Sequence, residues 1–158
     1  MRVWLVATAL ALGPGASASA PLEYDLTWTV FARQAGWEGQ ETRPVAAGER
    51  SGTAIARLAW VGPTVLRLDW EGPEGSGHGL IGPAGPVDFH FPSPLPITGP
   101  PALPHLSGGT FEFTGDPARP ATFTVSYVEG FICRATPAVC AGVAMWERRL
   151  EASARRRW

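Results

Sequence analysis

Two cysteines and three histidines carry most of the chemistry this chain could do. Six residues separate Cys133 from Cys140 in "GFICRATPAVCAG" (130–142), and they are the only cysteines. A pair at this spacing has two main uses. If both flanks are strands, the loop is a hairpin and the cysteines face each other near its mouth. Opposed Cα atoms then lie about 4.5–5.5 Å apart, which suits a disulfide. Closing so short a loop stabilises the fold by roughly 2–3 kcal/mol on the chain-entropy view. The same bond, if strained and exposed, is reducible and can exchange with other disulfides. In that use Arg134, next to Cys133, favours the attacking thiolate. Phe131 and Pro137 would shield the pair from stray thiols, and Thr136-Pro137 makes a stiff turn that holds the separation.

The other reactive groups are sparse. His78 in "GSGHGL" and His105 in "LPHLSG" fall in segments read as flexible loops, while His90 alternates outward on a strand. Their spacing lacks the tight local pattern of a zinc site, so no metal site is expected. A G-x-S-x-G elbow is missing, which argues against a serine hydrolase. The Gly-rich stretches match neither G-x-G-x-x-G nor a P-loop. The chain has no Lys, which excludes Schiff-base catalysis through a lysine. No cofactor is implied.

Length and charge narrow the class further. The chain has 158 residues, the size of one domain, with 45% apolar residues and a formal net charge of −1. That balance does not suggest a nucleic-acid partner. The N-terminus "MRVWLVATALALGPGASASA" (1–20) reads as a signal peptide, with Arg2 ahead of a short apolar run and small residues after it; cleavage is expected after Ala18. No later segment has about eighteen unbroken apolar residues, so no transmembrane segment is expected in the mature chain. Export to the periplasm or cell exterior follows as an expectation, and there two cysteines can pair.

The elements that must position these groups read as strands. Period-two alternation marks 24–31, 53–60, 64–70, 86–91, 109–115 and 121–128. In 86–91 it sets Val87, Phe89 and Phe91 against Asp88 and His90. Segment 143–152 is a last strand or, with Trp146 and Leu150 four apart, a terminal helix. Two Gly- or Pro-rich stretches, 71–86 and 91–109, read as long loops. About seven short strands with frequent turns predict an all-β, immunoglobulin-like antiparallel β-sandwich over 21–152. The Arg-rich end, 153–158, reads as a frayed basic tail.

The segment "ATFTVSYVEGFICRATPAVCAGVAMWERRL" (121–150) resembles the end of the N-terminal periplasmic domain of DsbD-type thiol–disulfide interchange proteins. Thr124, Val125 and Tyr127 match that family's strand, and Cys133 and Cys140 match its cysteine pair. Asp88-Phe89 could correspond to its capping loop. The resemblance implies an immunoglobulin-like fold and a catalytic Cys133/Cys140 pair. It further implies that Cys133 attacks a substrate disulfide and Cys140 resolves the mixed disulfide. The electron donor would be a separate membrane or thioredoxin-like protein, and the substrates periplasmic proteins. Two departures stand out. Ala141-Gly142 follows the second cysteine where the family has Tyr and Pro, and the match covers about thirty residues.

Two further readings compete with exchange. In one, the chain is a non-catalytic cell-envelope binding or structural module with a structural disulfide. In the other, a proteinase-inhibitor-like domain presents 130–142 as a rigid ridge. A buried disulfide favours the first of these, and an accessible sulfur under a movable aromatic favours exchange.

Overall fold

A computed structural model describes residues 20–96, 106–140 and 142–158. The signal-peptide expectation for 1–20, and His105 with it, lies outside these residues except for Ala20. Eight strands make up the fold: β1 (Leu22–Glu38), β2 (Glu41–Trp60), β3 (Leu66–Gly72), β4 (Gly75–Gly82), β5 (Gly85–His90), β6 (Leu106–Asp116), β7 (Arg119–Ile132) and β8 (Val143–Arg156). Every ladder is antiparallel, and the order across the sheet is β5-β4-β3-β2-β1-β8-β7-β6.

The all-β antiparallel expectation therefore holds, but the ladder is one continuous sheet rather than the two of a sandwich. The sheet curls until its end strands, β5 and β6, touch. At that seam a Cβ on Gly85 would lie 2.8 Å from the Gly109 carbonyl oxygen, and Gly85 has φ 110°, so glycine is needed there twice over. The shape is a nearly closed barrel. Closure hides both edges of a sheet that would otherwise invite pairing with other chains.

The interior follows from period-two alternation. Leu26, Trp28 and Val30 of β1, Leu66, Leu68 and Trp70 of β3, Phe123, Val125 and Tyr127 of β7, and Leu150, Ala152 and Ala154 of β8 share one buried cluster. One end is closed by Tyr24. Its hydroxyl donates to the Pro120 carbonyl at 2.9 Å, and its ring meets Phe123 edge-on at 4.8 Å.

The stretch 71–86, expected as a loop, is mostly strand β4 between two tight hairpins. Its glycines alternate inward beneath large rings. A Cβ on Gly77 would collide with Trp70, and one on Gly79 with Phe89. On β2, Gly52 opposes Trp28, whose ring carbon would lie 2.7 Å from an added Cβ. The barrel is narrow enough that bulky aromatics need glycine opposite them, so Gly-rich sequence here marks core strand rather than loop.

Two more expectations change. Segment 143–152 is strand, not helix, and β8 continues to Arg156, paired with Tyr24 of β1. Most of the basic tail is thus sheet, held by Arg157 N–H donating to the Glu23 carbonyl and by an Arg157–Asp25 ion pair. In β5, Val87 points outward instead of inward. A bulge sets Asp88 and Phe89 against Gly79 alone, and Asp88 takes the left-handed φ of 50° that this needs.

Candidate functional site

The expected site lies where β7 leaves the barrel. Phe123, Val125, Tyr127, Glu129 and Phe131 occupy successive inward positions of this strand, Cys133 follows just past its end, and all are buried. Glu129 interrupts the apolar run. It accepts from Arg148 Nε of β8 at 2.7 Å, and the Arg148 guanidinium lies 4.7 Å from the centre of the Phe91 ring. This charged layer separates the main core from a second cluster of Phe131, Cys133, Cys140 and Val143, with Trp37 and Trp146 packed against it.

The Cys133–Cys140 disulfide sits in that second cluster, with Cα atoms 6.0 Å apart. The two cysteines are not opposed across the hairpin. Cys133 N–H donates to Ala144 at 2.8 Å, so Ala144 is its cross-strand neighbour. Cys140 instead ends a tight turn. Val139 N–H and Cys140 N–H both donate to the Thr136 carbonyl, at 3.0 and 3.3 Å, and Gly142 N–H donates to that of Pro137 at 2.9 Å. The bond pins this turn back onto the end of β7. Cys140 is 0% exposed and Cys133 8%.

The residues expected to tune the pair divide. Phe131 packs with the disulfide, and Arg134 is exposed beside it. Asp88 and Phe89 are not brought to it. Phe89 belongs to the barrel core, stacked on Tyr127 at 5.1 Å and near Trp70 at 6.3 Å, while Asp88 is the exposed bulge residue. They do not cap the sulfurs.

Elsewhere, outward positions of β6, β7, β8, β1 and β2 carry many hydroxyls, and a wide basin of about 700 Å³ lies over Thr27, Thr53, Thr124 and Ser153. These hydroxyls pair across strands, as in Thr27–Ser153 at 3.0 Å, Thr29–Ser51 at 2.9 Å and Thr114–Thr122 at 2.6 Å. They knit the outer face of the sheet.

Both tyrosines are buried, and burial raises each phenol above its ordinary pKa. Among the described residues no group of three or more His, Cys, Asp or Glu is placed to hold a metal ion, and no helix is long and apolar enough to cross a membrane. No protein-family model matches this chain, and no curated protein does.

Proposed function

We propose that the protein is a non-catalytic, exported cell-envelope module, a nearly closed β-barrel whose Cys133–Cys140 bond is a structural staple. The observation that carries this is the burial of both sulfurs behind Phe131, Val143, Trp37 and Trp146. Exchange requires a foreign thiolate to reach a sulfur, and a buried sulfur denies that approach. Phe89, the residue expected in a cap over the pair, is instead fixed in the barrel core. The signal-like N-terminus supports export, where such a staple forms and persists.

DsbD-type exchange is the second reading. Its support is the exposed Arg134 beside Cys133, the more exposed of the two cysteines. One experiment separates the two: equilibration of the pair against dithiol and glutathione buffers, with thiols trapped and counted. A staple gives a potential below about −300 mV, out of reach of the glutathione pool. A value near about −200 mV establishes a labile pair and overturns the structural reading.

A further inference from the structure

The sequence scatters its histidines, yet the fold sets two of them side by side. His78 of β4 and His90 of β5 are direct cross-strand partners, both exposed on the outer face. Their rings stack with centroids 4.8 Å apart and planes 25° from parallel. The bulge at Asp88 produces this pairing. Counting back from the Leu80–Val87 pair, an unbulged β5 would set Phe89 opposite His78. The extra residue sends Phe89 inward over Gly79 and brings His90 opposite His78 instead. A non-glycine residue in the left-handed region costs on the order of 1–3 kcal/mol and persists only where its surroundings impose it. Here the Phe89–Gly79 and Trp70–Gly77 contacts beneath the hairpin fix the backbone that carries both imidazoles.

We propose that His78 and His90 form a two-imidazole binding site for a divalent transition-metal ion, Zn²⁺ or Cu²⁺, on the outer face of the β4–β5 hairpin. Neutral imidazole is a preferred ligand of both ions. Two metal–nitrogen bonds of about 2.0–2.1 Å at a tetrahedral angle place the nitrogens about 3.3 Å apart. The rings now stack face to face with centroids 4.8 Å apart, so to share one ion both exposed imidazoles rotate about their side-chain torsions until their in-plane lone pairs converge. Asp69 of β3 is the next residue in the row, paired in register with His78, but Arg67 holds its carboxylate at 2.8 Å. The protein thus supplies two ligands and water the others, an open site rather than a closed structural one. A bound ion would tie β5 to β4 beside the seam, where the ladder ends.

The test uses the untagged protein titrated with ZnCl₂ and with CuCl₂ by calorimetry in a non-chelating buffer. The expected result is one ion per chain and a Tm that rises with metal concentration. The Cu²⁺ form should show two nitrogen ligands by electron paramagnetic resonance. His78→Ala and His90→Ala should each weaken binding at least tenfold while leaving the metal-free Tm within a few degrees, since both side chains are exposed. Failure to bind one ion, or wild-type affinity in either variant, overturns the proposal.

Discussion

Replacing both cysteines with alanine, Cys133→Ala together with Cys140→Ala, measures what the staple contributes. Alanine is the right substitute because Cys140 is fully buried, and a serine hydroxyl there would add its own desolvation cost. The bond joins residues seven apart in sequence. Closing a loop that short removes about 8 cal/mol/K from the unfolded chain, or about 2.5 kcal/mol at 25 °C. The sulfurs also pack against Phe131 and Val143, and the small voids left behind bring the loss to about 3 kcal/mol. Urea unfolding followed by tryptophan fluorescence reads this directly. With a slope of about 2 kcal/mol/M, the midpoint falls by about 1.5 M at unchanged slope. In a thermal scan the same loss is a drop of about 10 °C. A loss under about 1 kcal/mol would refute the reasoning, because the turn would then be held by its own hydrogen bonds to Thr136 and Pro137.

Three other perturbations probe the barrel itself. Gly77→Ala should cost about 1–3 kcal/mol or more by overpacking against Trp70, whereas Gly108→Ala, with nothing within 4 Å of its added Cβ, should stay within about 0.5 kcal/mol; equal effects in chemical denaturation would contradict the packing account. Glu129→Ala leaves Arg148 without its carboxylate in a largely buried layer and should cost about 1–3 kcal/mol, while Glu129→Met with Arg148→Met should recover most of it in a double-mutant cycle. The chain has only two tyrosines, and burial raises both phenol pKa values above 10.0. The unfolded chain therefore loses its phenol protons first, so stability holds below pH 10 and falls as pH climbs from there through the raised native values. Absorbance at 295 nm should show native ionisation beginning at higher pH than in denaturant; coincident curves would mean the phenols are not buried.

The elements were legible where alternation was regular. β1, β3 and β7 each show inward apolar residues every second position, and their cores lie where that pattern places them. β4 was hidden because "GSGHGLIG" has composition that elsewhere signals a turn. Its glycines are instead the small partners of Trp70 and Phe89, a pairing visible only once the strands are in register. Sheet closure was hidden for a similar reason. Period two says which residues face inward, but the same alternation suits two packed sheets and one curled sheet alike. What separates them is the β1–β8 ladder, a contact between the two ends of the chain that no local pattern encodes.

The site shows the same limit at finer scale. The pairing of Cys133 with Cys140 followed from their being the only two cysteines, but the cluster that buries them is also packed by Trp37, an indole from the far end of β1. That distant contribution moves the weight from exchange to staple, because it helps close off a thiolate's approach. The histidines run the other way. His78 and His90 stand twelve residues apart, with no ligand spacing to mark them, and the bulge at position 88 makes them neighbours. With the Leu80–Val87 pair kept, a ladder of the same sequence without the bulge would set Phe89, not His90, opposite His78. Deleting Asp88 removes the extra residue without that slip: Phe89 stays opposite Gly79 and His90 opposite His78, now in a regular ladder. Zn²⁺ binding measured by calorimetry should therefore survive the deletion. Its loss, with the barrel still folded and the disulfide still resisting glutathione, would show that the left-handed residue itself, and not the register, sets the two imidazoles together.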